Sequence, residues 1–147
     1  MDPISAIGFV SSTLTIVELV VKGIATLTEL RDRYKIADLK VSLIIGQLST
    51  LNAALNQVIH LLKDNPGLPQ DDGLIQDLST SLDCVETVIV ILDERLSSLR
   101  RHSAHGLNLM GKVAFLWDDS TLKEYLSLLD NQVNALNLLL TALHWCV

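Results

Sequence analysis

Apolar residues recur along this chain in alternating steps of three and four, and the rhythm holds through four long stretches. The first comprises Ile7, Val10, Leu14, Val17, Val21 and Ile24; the second runs from Tyr34 and Ala37 through Val41, Ile44, Leu48, Leu51, Leu55, Val58 and Leu62. Ile75, Leu78, Leu82, Val85, Ile89, Leu92, Leu96 and Leu99 form the third, and Leu122, Leu126, Leu129, Val133, Leu136, Leu140 and Leu143 the fourth. Such spacing returns side chains to one face of a helix with 3.6 residues per turn, so each stretch predicts an amphipathic helix.

The interruptions set the ends. Asp2 can cap the first helix, and Pro3 suits its first turn, where a missing N–H leaves no bond unmade. DNPGLPQDDG, residues 64–73, carries two prolines and two glycines and separates the second helix from the third, with Asp71 or Asp72 as the next cap. The first break is placed near Arg33 to Ala37, where the apolar phase changes. RRHSAHGLNLMGKVAFLWDDS reads as a loop, a short helix near 107–116 and a cap at Asp119 or Ser120. The predicted helices are therefore 3–33, 37–64, 72–101, a short 107–116 and 120–146. Long helices extend about 40 Å at 1.5 Å per residue, and short connections force them antiparallel. The expected fold is all-α, a single domain over 1–147: an antiparallel up-down-up-down four-helix bundle with an additional short helix before the last one.

The first helix differs from the others. The second has a polar back of Gln47, Asn52, Asn56 and Lys63, whereas the first adds Phe9, Ile16, Val20 and Leu27 to its main seam as a second stripe. Only Ser11, Thr15, Glu18, Lys22 and Glu29 remain as a narrow polar line. A helix apolar nearly all round is either buried or in lipid. Pro3 to Val21 holds one charge, Glu18, and approaches the roughly 20 residues that cross a bilayer. Ser and Thr dilute it, and a carboxylate costs about 2.5 to 3.5 kcal/mol at the membrane centre, so a permanent span is a poor description. Asp2 stands where a signal peptide has cations, which excludes a secretory leader. The reading is a core helix with a second home in lipid.

Composition narrows the function classes. The 147 residues carry 11 Lys and Arg against 17 Asp and Glu, a net charge of -6, which excludes a nucleic-acid partner that needs a basic footprint. Cys84 and Cys146 show neither CxxC nor Cys/His spacing, so neither a zinc site nor a disulfide framework is expected. His102 and His105 have no third ligand nearby, and His60 and His144 have no partner visible in the sequence. No G-x-S-x-G elbow occurs, and Asp118 and Asp119 are accounted for by helix capping. Trp117 and Trp145 are read as packing residues at helix ends, with a lipid-interface anchor as the alternative. No enzyme chemistry and no cofactor are expected.

MDPISAIGFVSS followed by heptads resembles the opening of the N-terminal domain of fungal STAND, or NLR-like, proteins, the HeLo-like group. The late segment KVAFLWDDSTLKEYLSLLDNQVNALNLLLTAL, with its Trp before an acidic cap and a Leu-rich helix, is similar to that family's final region. The resemblance spans nearly the whole chain. It implies a helical cell-death or heterokaryon-incompatibility module of innate immunity, related to the bundle of the necroptosis pseudokinase. It also implies self-association into a homo-oligomer on activation, release of the first helix, and permeabilisation of the plasma membrane by a domain that is cytoplasmic at rest. The residues so assigned are Ile4, Ile7, Phe9, Val10, Leu14, Ile16, Val17 and Val20. The family usually joins this module to a nucleotide-binding receptor domain. No Walker A pattern occurs here, so such a domain is expected beyond Val147, and LLLTALHWCV reads as the edge of a domain.

Two basic clusters fit an anionic-lipid contact: Arg31, Arg33 and Lys35 with Lys40 at the first hairpin, and Arg95, Arg100, Arg101 and Lys112 in a stretch without acids. A solvated rim partly neutralised by Glu29, Asp32, Asp38, Asp93 and Glu94 is the other reading. The alternative function is a helical homotypic or adaptor interaction module that pairs through its heptad flanks and never enters a membrane.

Overall fold

The computed structural model describes the backbone of residues 3–34, 39–65, 73–103 and 120–146, and the side chains of 8–32, 41–65, 73–98, 120 and 123–145. These residues form four helices and no strand: α1 Pro3–Tyr34, α2 Leu39–Asp64, α3 Gly73–Ser103 and α4 Ser120–Cys146. The bounds expected for these four helices lie within two residues of the observed ones. The short helix expected near 107–116 lies outside the described residues.

Local chemistry explains where α2 stops. The backbone N–H of Asn65 donates to the Leu61 carbonyl at 3.1 Å, and its side-chain amide donates to the same oxygen at 3.0 Å. These two bonds occupy a carbonyl that the helix end leaves without a partner, and the proline that follows disfavours helical geometry at Asn65. At the other end of the chain, α1 begins at Pro3 itself.

One hydrophobic core joins the helices. In α2 and α3 every described member of the expected seam is buried, from Val41 to Leu62 and from Ile75 to Leu96. In α4, Leu129, Val133, Leu136, Leu140 and Leu143 are buried and Leu126 is partly buried against them. Each fully buried leucine contributes about 1.5 to 3 kcal/mol relative to an exposed one, so these seams dominate the stability of the fold.

The helices pack as two close pairs, α1 on α2 and α3 on α4, joined through α1 on α3 and α2 on α4. Although consecutive in the chain, α2 and α3 do not form one of these principal pairs.

The seam of α1 corrects the sequence reading. Its buried positions are Thr13, Ile16, Val20, Gly23, Thr26, Leu27 and Leu30. Leu14 and Val21, expected at the core, are exposed at 42% and 50%, and Val10, Val17 and Ile24 are half-buried beside them. What looked like the minor stripe is the one that faces the other helices. That stripe was hidden because Thr13, Gly23 and Thr26, which share the buried face with Ile16, Val20, Leu27 and Leu30, add little hydrophobicity to it.

Candidate functional site

The described helices contain one stretch long and apolar enough to cross a membrane, Gly8–Asp32 of α1. It would extend about 37 Å, enough for a hydrocarbon core of about 30 Å. Only 33% of its most apolar window is buried, which separates it from an ordinary fully enclosed core helix.

The assigned residues divide three ways. Ile16 and Val20 are buried; Phe9, Val10 and Val17 are half-buried against the core; Leu14 is exposed. Ile4 and Ile7 belong to α1, but their side chains lie outside the described residues. The polar line of Ser11, Thr15, Glu18, Lys22 and Glu29 is exposed, as its position on the helix requires.

Three threonines of α1 bond within their own helix. The Thr13 hydroxyl donates to the Phe9 carbonyl at 2.8 Å, Thr15 to Ser11 at 3.2 Å and Thr26 to Lys22 at 2.9 Å. Each bond reaches back one turn within the helix, so these hydroxyls remain satisfied wherever the helix goes. The contrast lies on the other pair, where Ser81 of α3, also buried, is bonded across to Gln132 of α4 at 2.7 Å.

Lys22 Nζ of α1 and Asp93 Oδ1 of α3 form an ion pair at 3.5 Å, with the lysine half exposed. Nearer the start of α1, Phe9, Thr13 and Ile16 form a small groove with Leu82, Asp83 and Glu86 of α3. Gly23 sits where α1 meets both neighbours: a Cβ there would lie 3.5 Å from Leu48 Cδ1 and 3.6 Å from Leu96 Cδ1.

Of the two basic clusters, Arg31 and Arg95 have described side chains and both are partly exposed. Arg31 pairs with its neighbour Asp32 at 3.6 Å, and Arg95 has an interaction partner of its own. The side chains of Arg33, Arg100 and Arg101 lie outside the described residues, as do Lys35 and Lys112 altogether.

Sequence reasoning missed one association and misread one residue. His60 and His144, 84 positions apart, line the same cavity of about 220 Å³ with Gln57, Leu61, Asp64 and Asn65. Among the described residues, however, no group of three His, Cys, Asp or Glu side chains is placed to hold a metal ion. Trp145, expected to pack, is 87% exposed; its position near the end of α4 leaves the indole beyond the buried Leu143. Cys84 is exposed as a free thiol, and Trp117 and the Cys146 side chain lie outside the described residues.

The core role of Thr13, Gly23 and Thr26 was also missed, although a signal for it exists. Thr13, Ile16, Val20, Gly23, Leu27 and Leu30 step by three and four as regularly as the apolar seam does, but two of the six carry little weight on a hydrophobicity count. No family model, no curated protein and no solved structure matches this chain.

Proposed function

We propose that this chain is a HeLo-like cell-death or incompatibility effector domain that self-associates on activation and permeabilises membranes through α1. One observation carries the reading: α1 is apolar over a bilayer-spanning length yet only partly enclosed, and the hydroxyls of Thr13, Thr15 and Thr26 are bonded within the helix. Leaving the bundle therefore exposes no threonine hydroxyl that was bonded to another helix. In this account the domain rests in the cytoplasm, acts at the plasma membrane, and receives its signal from an attached nucleotide-binding receptor domain. It has no enzymatic step and no cofactor.

The same reading takes the helices as an antiparallel up-down-up-down bundle. Supporting it, residues 9–16 of α1 lie against 79–86 of α3, and Lys22 lies against Asp93, so the two helices advance together. Continued in that sense, Arg31 and Arg33 reach the end of the bundle that Arg100 and Arg101 also reach. A basic end of this kind is worth about 1 kcal/mol per side chain near an anionic surface.

Dye release from vesicles tests the proposal. The full chain is expected to release dye and a chain lacking residues 1–20 is not; a folded deletion variant that still releases dye overturns the reading.

An interaction module that never enters lipid is the second reading, and the exposed positions of α2 from Ser42 to Gln57, all of them uncharged, favour it. Vesicle binding separates the two, since an interaction module associates with itself and leaves vesicles intact.

A further inference from the structure

Asn52 stands on α2 in line with Ile45 and Ile59, two turns away on either side. Ile59 is buried and Ile45 is partly buried against the core, so this line runs along one edge of the α2 seam. The other edge is marked by Gln57 and Leu61, which meet His144 of α4. Because α2 packs chiefly on α1 and α4, the edge of Ile45, Asn52 and Ile59 is the one toward α1. Leu48, one turn before Asn52, lies beside Gly23 of α1.

An asparagine in that line is a local misfit. Its side-chain oxygen is buried and has no hydrogen-bond partner among the described residues. The Asn56 and Asn65 side chains, by contrast, each donate one turn back along α2, at 3.0 Å. On the other close pair, the buried Ser81 hydroxyl of α3 is bonded to Gln132 of α4 at 2.7 Å. A buried acceptor without a donor has given up water and gained nothing in return, whereas an apolar group of the same shape carries no such loss. Leucine has nearly the branched shape of asparagine, so the misfit is one of polarity and not of size.

We infer that Asn52 sets how readily α1 parts from α2: its unbonded oxygen weakens the contact that release of α1 must break. Gly23 acts on the same contact in the same direction, since it leaves unfilled the space of a methyl group beside Leu48. The inference rests on the release of α1 in the proposed function and goes beyond it by naming the residue that tunes the step.

Native-state hydrogen exchange in the absence of lipid tests it, on Asn52→Leu beside the unaltered chain. Amides of α1 from Val17 to Leu27 are expected to exchange about tenfold more slowly in the variant, a larger change than at Leu129 to Leu140 of α4. Asn52→Ile repeats the residue found at 45 and 59, is expected to act in the same way, and keeps the test open if leucine packs poorly. Exchange of α1 that is unchanged or faster in both variants, or slowed no more than that of α4, overturns the inference. Dye release from vesicles is read separately and is expected to be about tenfold slower in the variants. An unaltered chain that releases no dye overturns the membrane reading, while the exchange measurement still decides the role of Asn52.

Discussion

Gly23 of α1 faces Leu48 of α2 across a gap that a methyl group fills, since a Cβ built on the glycine would lie 3.5 Å from Leu48 Cδ1. That is ordinary van der Waals contact, and Leu96 on the third helix stands at a similar 3.6 Å. Glycine in the middle of a helix is less stable than alanine by about 1 kcal/mol. Gly23→Ala is accordingly expected to stabilise the domain by about that amount in urea denaturation. Gly23→Leu has no room and is expected to destabilise it by about 1 to 3 kcal/mol through overpacking.

The Ser81 hydroxyl of α3 donates to the Gln132 side-chain oxygen of α4 at 2.7 Å. Gln132→Ala leaves the buried serine hydroxyl without its partner and is expected to cost about 1 to 3 kcal/mol. Adding Ser81→Ala removes the stranded group, so the double variant is expected to lose less than the two single losses added together. A double-mutant cycle by chemical denaturation gives the coupling directly.

Leu136 and Leu138 are two positions apart on α4, one completely buried and the other 72% exposed. Leu136→Ala is expected to cost about 2 to 5 kcal/mol, the range for a core leucine, and Leu138→Ala to stay within about 0.5 kcal/mol. Thermal unfolding of the two variants side by side checks the orientation of α4.

How far the fold was legible depended on how one-sided each helix is. In α2, α3 and α4 the seam with the regular spacing is the one the fold buries, so the heptad count alone identified Leu51, Leu78 and Leu136 as core residues. In α1 two stripes compete. The count favoured Leu14 and Val21, while the fold buries the stripe of Ile16, Val20 and Leu27, which runs through Thr13, Gly23 and Thr26 and so scores low on hydrophobicity. The meeting of His60 and His144 in one cavity was unreadable, since it depends on which helices become neighbours. The exposure of Trp145 was unreadable for a related reason: an aromatic near a helix end looks the same whether or not a neighbour reaches that far.

Lys22 and Asp93 pair between α1 and α3, and half the lysine side chain is in water. Lys22→Ala is expected to lower stability by no more than about 1 kcal/mol, and the difference should shrink as salt is raised. Denaturation at low and high ionic strength measures both effects.

The proposed membrane role of α1 is tested most directly at Val21, because this residue is half exposed in the bundle and lies in the middle of the candidate spanning stretch. An aspartate there is solvated in the folded domain but costs about 2.5 to 3.5 kcal/mol near a bilayer centre. The decisive measurement is dye release from anionic vesicles by Val21→Asp beside the unaltered chain, with unfolding midpoints recorded for both. The account predicts an unchanged midpoint and loss of release; equal release by a folded Val21→Asp variant contradicts it.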